Sequence, residues 1–331
     1  MLYTKSNTRT PLLSAIGGRT KYTNSVKFVL GQNYTAEEGD IPSISETASL
    51  TAPDATFITR SQNSNVTQIF MESLAISYAK QSNMGTLSGV NIAGQVANPQ
   101  NELNFQIARK MEKIRRSIEK TFIQGTFNEA TTDATVNKTR GLVEAITSNT
   151  LSLETGSGAN KKNAPLDIWA VNEMLIKMKS NNADINGLTL WLDAVTLNQL
   201  NASAVDNGIK MGEPYNGTFG VQIRDLLLPS GTVNIALGEF LPAGTALVLN
   251  LNALSPVEQP VPGKGNFFLE ELARTGAGTK YQIFGQIGLD YGAEHLHGKI
   301  TGISTEFVKP EAKKVFLVNA GDIKTTTQSG S

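Results

Sequence analysis

The sequence predicts an α+β fold with two subdomains, and three features of the chain carry that prediction. A long amphipathic helix is expected from Asn98 to Gly125. A helix, a strand and a second helix follow between Pro165 and Leu200. From Phe219 onward, short apolar runs alternate with turns rich in Pro and Gly, which is typical of strands. Helices and strands that are grouped in separate parts of a chain indicate an α+β architecture.

The composition limits the functions that the chain can have. Its 331 residues allow one large domain or two ordinary ones. Lys and Arg number 29, and so do Asp and Glu, so the chain lacks the global basic field of a dedicated nucleic-acid-binding protein. Cysteine is absent, which excludes disulfides and thiolate metal sites. The chain shows neither a signal-peptide core nor a membrane-spanning apolar run, so we expect a soluble protein made in the cytoplasm, with no membrane partner.

The first 36 residues are polar, and all of their charged side chains are basic. Acids begin immediately afterwards, with Glu37, Glu38 and Asp40. We expect an N-terminal arm over residues 1–39, with a short strand from Val26 to Leu30, that binds a neighbouring molecule through its cations. The alternative is a frayed terminus. The cations with this expected role are Lys5, Arg9, Arg19, Lys21 and Lys27.

Residues 40–97 are expected to form a long two-stranded loop. The runs Ala55–Arg60 and Val66–Ser77 have the composition of strands, and Asn63-Ser64-Asn65 between them is predicted as a turn. A lone hairpin is marginally stable in water, so we expect this one to lie on a neighbouring molecule. The alternative is a β-meander packed on its own domain. The side chains expected to contact the neighbour are Ile69, Phe70 and Met71.

The helix from Asn98 to Gly125 is expected to be a structural spine, about 40 Å long at 1.5 Å per residue. Pro99 suits its first turn, and Gly125 suits a left-handed C-terminal cap. The alternative is an ordinary core helix or a coiled-coil strand. Charged residues fill the other faces, where three interleaved acids favour a solvated surface over phosphate binding. The apolar stripe recurs at steps of four and three and consists of Leu103, Ile107, Met111, Ile114, Ile118 and Phe122.

The remaining elements are predicted from short apolar runs and the turns between them. Strands are expected at Arg140–Ile146 and at Glu294–Ile303, and the second of these is interrupted at Gly298. Beyond Thr305 we expect a disordered tail. The other predicted elements are helices at Pro165–Lys179 and Ala194–Leu200, and strands at Leu188–Leu192, Val221–Leu228, Val233–Leu237, Ala246–Leu251, Phe267–Arg274 and Tyr281–Tyr291.

No motif in the chain predicts a catalytic, cofactor-binding or metal-binding site. His295 and His297 would share one face of a strand, but zinc needs further ligands, and Glu294 would point the other way. The G-x-S-x-G nucleophile motif is absent. The glycine-rich turns at 263–265 and 276–280 lack the spacing of a phosphate-binding loop. We therefore expect a protein that is not an enzyme and needs no cofactor.

Several segments, taken in order and with their spacing, resemble tailed-phage major capsid proteins of the Hong Kong 97-like fold, and in particular the SU-ten-like major capsid family. The resemblance covers about Asp40 to Ser304. The segments that carry it are Arg60–Gly85, Asn101–Gly125, Arg140–Leu142, Gly220–Asn252 and Leu272–Ile303. It implies an N-terminal arm (1–39), an extended β-hairpin loop (40–97), a peripheral domain with the spine helix (98–157), an axial domain (158–265), a return to the peripheral domain (266–304) and a C-terminal tail (305–331).

The resemblance also implies a function and a set of partners. The chain would be a major capsid protein that self-assembles into an icosahedral or prolate shell around phage double-stranded DNA. Its partners would be other copies in pentamers and hexamers, a portal protein, and packaged DNA at the inner face without sequence specificity. Scaffolding and decoration proteins are left open. The expected location is the virion capsid, assembled in the host cytoplasm. The alternatives are an encapsulin-type shell around a protein cargo and, from another class, a β-rich hydrolase or lectin.

Overall fold

The structure is a computed structural model that describes residues 8–34, 39, 41, 43–52, 57–79, 99–156, 161–207, 215–216, 222–274 and 276–310. Its helices are α1 (Pro11–Ile16), α2 (Pro99–Gln124), α3 (Leu142–Ala145), α4 (Ile168–Ser180) and α5 (Ala194–Asp206). Short 3₁₀ turns lie at Gly17–Arg19, Ala48–Leu50, Leu251–Ala253 and Glu294–Leu296. The strands are β1 (Lys21–Tyr22), β2 (Lys27–Tyr34), β3 (Arg60–Val66), β4 (Gln68–Ser77), β5 (Thr150–Ser152), β6 (Thr189–Leu192), β7 (Tyr215–Asn216), β8 (Gln222–Leu228), β9 (Gly231–Leu237), β10 (Ala246–Leu249), β11 (Ser255–Glu258), β12 (Phe268–Leu272), β13 (Gly278–Asp290) and β14 (Gly298–Thr301).

The first sheet is organised around β13, its longest strand. Along one side β13 pairs with β11 and β12, and β11 also pairs with β1. Along the other side it pairs with all ten residues of β4, from Gln68 opposite Ile287 to Ser77 opposite Gly278. Among the described residues β4 pairs with no other strand, so it is an edge strand.

A second sheet has seven strands in the order β5-β14-β10-β6-β9-β8-β7, and β2 and β3 form a separate two-stranded sheet. Helices α4 and α5 supply much of the core that covers the second sheet. Each begins with an aspartate cap, because Asp167 accepts from the Ala170 N–H and Asp193 from the Thr196 N–H, both at 2.7 Å.

The spine helix (α2) packs its apolar stripe against the first sheet, and its observed bounds confirm the predicted helix. Ile114, Ile118 and Phe122 are at most 3 % exposed. Nearer the start of the helix, Ile107 and Met111 are partly buried against the same core, and Leu103 is half-buried. One face of the helix is therefore committed to the sheet, as its 3.6-residue periodicity requires.

The N-terminal segment is part of this first core. Leu12 and Ile16 of α1 are 1 % and 0 % exposed, and Phe28 and Leu30 of β2 are buried with them. Removing these side chains would leave cavities over the sheet, which costs several kcal/mol. Residues 10–34 are therefore part of the folded unit, so the alternative of a frayed terminus is wrong for them, while binding of this segment to a neighbour stays a prediction.

A buried carboxylate joins this N-terminal segment to the spine helix. The two carboxylate oxygens of Glu119 accept hydrogen bonds from the backbone N–H groups of Leu12, at 2.8 Å, and Leu13, at 2.7 Å. Amides in the first turn of a helix have no acceptor within that helix, so Glu119 caps α1 from a distant part of the chain. The side chain is fully buried. Burial raises the pKa of Glu119 to about 7, although the two N–H groups act in the opposite direction.

The predicted turn at Asn63-Ser64-Asn65 is wrong, because these residues lie within β3. Strand β3 pairs with β2 and not with β4, so the expected hairpin does not form. The buried Asn65 explains the difference. Its amide group donates to the carbonyl of Leu289 at 2.7 Å, and its Oδ1 accepts from the N–H of Arg140 at 2.8 Å. These contacts fix the chain to distant elements at the point where a tight turn was expected.

Two predicted strands are also wrong in whole or in part. Residues 140–146 contain the short helix α3, and Leu142 and Ile146 are buried against the core around the spine helix. The stretch 294–303 begins with a 3₁₀ turn and only then enters β14. The carboxylate of Glu294 holds that turn, because it accepts from the N–H groups of Thr147 and Ser148, each at 3.1 Å.

Gly125 follows the spine helix for a different reason from the predicted one. Its φ is not positive, so the left-handed cap is wrong. A Cβ at this position would lie 2.5 Å from the Thr121 carbonyl oxygen and 2.6 Å from that of Thr139. The N–H of Gly141 also donates to the Gly125 carbonyl at 2.8 Å. Glycine is needed here because two stretches of backbone meet without room for a side chain.

The sheets divide the chain differently from the predicted domain boundaries. Strand β11 (Ser255–Glu258) belongs to the first sheet, although residues 158–265 were expected to form the axial domain. Strand β14 (Gly298–Thr301) belongs to the second sheet, although residues 266–304 were expected to return to the peripheral domain. The chain thus crosses between the two sheets near residues 254 and 292, where β10 leads into β11 and β13 leads into β14.

The first prediction concerns the spine stripe. Ile114→Asp places an unpaired charge at a position that is 2 % exposed, so the unfolding free energy should fall by several kcal/mol. Ser117→Asp is the matched control, because it adds the same charge to an exposed position of the same helix and should change stability by no more than about 0.5 kcal/mol. Urea unfolding measures both. Equal effects of the two substitutions would show that the stripe does not face the core.

The second prediction concerns Glu119 and pH. In the unfolded chain this carboxyl ionises near 4.5, whereas in the folded protein its pKa is about 7. Its contribution is therefore fully present below pH 4.5 and is lost as the pH rises through about 7, by up to about 3 kcal/mol. Glu119→Gln removes the titration, so the difference in unfolding free energy between the two proteins should change over this interval.

The comparison between the two proteins isolates Glu119 from other titrating groups. Burial lowers the pKa of His297 to about 4, which gives a slope of opposite sign, since that contribution is lost as the pH falls. His297 is present in both proteins, so its effect cancels in the difference. Parallel pH profiles of wild type and Glu119→Gln would contradict the assignment.

Candidate assembly surfaces

The predicted arm cations Arg19, Lys21 and Lys27 contact acceptor groups of their own chain. These contacts fasten the N-terminal segment to its own protein, so they do not support the expected pairing of these cations with acids of a neighbour. Arg9 is exposed just before α1, and Lys5 lies outside the described residues. The observed contacts are Lys21 Nζ to Asp290 Oδ2 at 2.6 Å, Lys27 Nζ to Glu129 Oε2 at 2.8 Å, and the Arg19 guanidinium to the Leu251 carbonyl and, at 2.8 Å, to Asn252 Oδ1.

Strand β4 has one buried and one exposed face. Phe70 is 7 % exposed and packs in the first core, with Leu74 and Ile76 buried on the same face of the strand. Ile69 and Met71 alternate with these residues and are each 58 % exposed. The expectation that all three residues of 69–71 could lose apolar surface to a neighbour is therefore wrong for Phe70, which has already lost it to its own chain.

The exposed face of β4 continues across the sheet as an apolar surface, which we call the outer strip and define as Ile69, Met71, Phe268 and Phe284. Met71 lies opposite Phe284, and Phe284 lies opposite Phe268, so the side chains project from the same face. The two phenyl rings are 5.8 Å apart. The spine helix packs on the other face of this sheet, so the outer strip is not covered by it.

Before β4, the chain exposes several more large apolar side chains. Ile41 is 96 % exposed, Leu50 85 % and Phe57 89 %. Single exposed apolar residues are common, but a series of them in one segment indicates an interaction surface. Sequence reasoning named the segment 40–97 but singled out only residues 69–71. The sequence did contain a signal for this surface. These apolar residues lie among mostly polar ones, so they have few apolar neighbours in the sequence to pack against.

The histidines do not form the pair that the sequence predicts. His295 lies in a 3₁₀ turn, while His297 is fully buried. Its Nε2 is 2.9 Å from the Tyr291 carbonyl, and its Nδ1 accepts from the Asn250 N–H at 3.3 Å, so both ring nitrogens are engaged with backbone groups. Within the described part of the chain, no cluster of three or more possible ligands could hold a metal. In the same residues, no helix has the length and apolar character needed to cross a membrane.

Solved structures with this fold are shells. The capsid protein of cyanophage A-1(L) has a TM-score of 0.62 at 14% identity, with 92% of this chain and 96% of that chain covered. The SrpI encapsulin of Synechococcus elongatus PCC 7942 has a TM-score of 0.57 at 9% identity, covering 94% of this chain and 95% of that one. A capsid protein of a native GTA particle has a TM-score of 0.54 at 12% identity, covering 92% and 93%. At these identities the similarity shows the fold alone.

The family is shown by the sequence itself. No curated protein sequence matches the chain. A family profile described as SU10 major capsid protein, however, matches residues 1–304, which is most of its length. The match includes the N-terminal segment, the spine helix and both sheets, and ends before the tail. The predicted Hong Kong 97-like fold and the predicted family are therefore confirmed. The chain belongs to the SU10 major capsid protein family.

Proposed function

We propose that many copies of this major capsid protein assemble into a closed icosahedral or prolate shell that encloses phage double-stranded DNA. The observation that carries the proposal is the set of large apolar side chains that a single chain leaves exposed, among them Ile41, Leu50, Phe57, Ile69 and Met71. Burying it against another copy would contribute roughly 25 cal/mol per Å². For a member of a capsid family, the partner that is present in sufficient number is a second copy of the chain.

The edge of β4 offers a second type of contact. Strand β4 has ten residues and only one charged side chain, Glu72. That carboxylate contacts Lys110 and Lys113 of the spine helix and so does not guard the edge of the strand. Proteins commonly protect long edge strands with charges, proline or a cover. From Gln68 to Ala75, where the described residues supply no further strand, this edge would suit the addition of a strand or loop from a neighbouring copy.

Assembly would proceed through repeated contacts of modest strength. Head-to-tail interfaces close into rings when the rotation between copies allows, which would produce pentamers and hexamers. Each further contact within a ring is intramolecular and is strengthened by effective concentration. In this arrangement the first sheet with the spine helix would be the peripheral domain and the second sheet the axial domain. Of the predicted extended loop, 40–97, the part before β3 would lie across a neighbour, because β3 and β4 pair within their own chain.

The finer partners belong to the same proposal. Packaged double-stranded DNA would meet the inner face, and a portal protein would occupy one vertex. To scaffolding or decoration proteins we assign no site among the described residues. Its location would be the virion capsid, after assembly in the host cytoplasm. The encapsulin alternative shares the fold but would enclose protein, so the contents of the shell separate the two. Family membership disfavours the hydrolase or lectin alternative.

The third prediction tests assembly directly. Purified protein examined by negative-stain electron microscopy should show closed shells with five-fold and six-fold clusters of subunits. Shells produced together with the rest of a phage genome should contain DNA that resists added nuclease. Protein that stays monomeric at every concentration tested would overturn the proposal, and shells filled with a protein cargo would favour the encapsulin alternative.

The fourth prediction separates folding from assembly within three consecutive residues. Ile69→Ser with Met71→Ser changes exposed side chains, so shell yield should fall strongly while the melting temperature of the subunit stays near wild type. Phe70→Ser is the matched control, because it changes a buried residue of the same strand and should lower the melting temperature by removing core packing. Normal shell yield from the Ile69/Met71 double variant would remove the outer strip from the interface.

A further inference from the structure

The surface of the spine helix is much more basic than the chain as a whole. Between Leu103 and Gln124 the helix has six cations and two acids, Glu112 and Glu119. Glu119 is fully buried and holds α1, so it does not contribute to the surface. The sequence-based expectation of an ordinary solvated face counted Glu119 among the surface acids, but this side chain is not accessible to solvent. The six cations are Arg109, Lys110, Lys113, Arg115, Arg116 and Lys120.

Four of the cations fall on one line along the helix. Arg109, Lys113, Arg116 and Lys120 are separated by steps of four, three and four, so they share one face. We call this face the cationic stripe. The helix rises about 1.5 Å per residue, so the stripe is about 16 Å long. It lies opposite the apolar stripe that contacts the sheet, since the two series differ in phase by about half a turn.

The acids near the cationic stripe do not neutralise it. Glu112 contacts Arg109 at 2.6 Å. The carboxylate of Glu72 in β4 contacts the Nζ atom of Lys113 and, at 2.9 Å, that of Lys110. Glu112 and Glu72 pair with Arg109, Lys110 and Lys113, whereas the exposed Arg115 and Lys120 form no ion pair with any described residue, on a chain whose net charge is zero. Arg109 and Lys113 also remain about half exposed despite their ion pairs.

The stripe offers little apolar surface to a protein partner. From Arg109 to Lys120, the exposed positions are Arg109, Lys113, Arg115, Ser117 and Lys120, while Arg116 is partly buried. Protein interfaces have an apolar core that excludes water, whereas Phe105, one turn before Arg109, is a single aromatic side chain whose ring lies 5.6 Å from the Arg109 guanidinium. Phosphate contacts, by contrast, need only accessible cations, and the duplex offers about ten charges over 16 Å. The apolar outer strip lies on the opposite side of the same two-layer unit, so a copy bound there leaves the cationic stripe free.

We propose that the cationic stripe of the spine helix is the surface through which each subunit contacts the phosphate backbone of packaged double-stranded DNA. The inference rests on the proposed function, because it assigns the stripe to the inner side of the shell. The contact is electrostatic and independent of sequence, since it uses no base-reading geometry. Each subunit contributes a weak contact, and the whole shell holds the outermost layer of DNA through many of them.

The test uses unassembled capsomers and a fluorescent mixed-sequence duplex of about 30 base pairs, titrated between about 50 and 200 mM salt. The variant is Lys113→Gln with Lys120→Gln. The control is Lys161→Gln with Lys309→Gln, which removes the same charge from two exposed lysines that contact Glu154 and Asp206 away from the spine helix. Circular dichroism and melting temperature verify that all proteins fold, and electron microscopy measures their shell yield.

We expect the stripe variant to bind more weakly and its slope of log affinity against log salt to fall by about two, while the control keeps the wild-type slope. A second duplex of different sequence should give the same result. Absence of binding by wild type, or equal slopes in variant and control, would overturn the proposal. So would a stripe variant that binds DNA normally but forms no shells, because the stripe would then contact another copy. Failure of wild type to form shells would instead overturn the proposed function itself.

Discussion

The spine helix has a single apolar stripe, and this constraint determines which surfaces of the first sheet remain accessible. A helix laid across one face of a sheet makes a two-layer unit and leaves the second face to other cover, and in the described part of this chain Phe28 of β2 covers that second face only near Gly288. Here that second face presents Ile69, Met71, Phe268 and Phe284, while the outer side of the helix presents cations. The unit thus has an apolar side and a basic side. That asymmetry suits a wall whose two sides face different environments.

The carboxylate of Glu119 shows why the N-terminal segment belongs to the folded unit. It is separated from its partners, Leu12 and Leu13, by more than 100 residues and still supplies acceptors for two otherwise unpaired amides. A buried acceptor without donors would cost several kcal/mol, and so would two buried donors without an acceptor. The segment and the spine helix therefore need one another. The contact of Lys27 with Glu129 adds little by comparison, because an ion pair exposed on both sides contributes at most about 1 kcal/mol.

The sequence predicted elements whose signal is local and failed where distant contacts decide the structure. The spine helix and most strands after Phe219 follow from periodicity and turn residues, so their positions agree with the structure. The hairpin at 55–77 was wrong because Asn65, a good turn residue, instead satisfies backbone groups of Leu289 and Arg140. For the candidate surfaces, the sequence showed that residues along β4 alternate between two faces of the strand. It did not show which of the two faces packs against the core. That choice depends on pairing with β13, more than 200 residues away.

The net charge of the whole chain does not determine whether one of its surfaces attracts the phosphates of DNA, as proposed for the cationic stripe. Equal numbers of acids and bases exclude a global basic field, and that exclusion holds. Salt, however, screens exposed charges beyond about 8 to 10 Å, so a phosphate responds to the charges immediately around it and not to the total. Folding turns Glu119 inward and leaves Lys113 and Lys120 outward, which separates charges that the sequence interleaves. A neutral chain can therefore present a locally basic wall, which is what the proposed contact with phosphates requires.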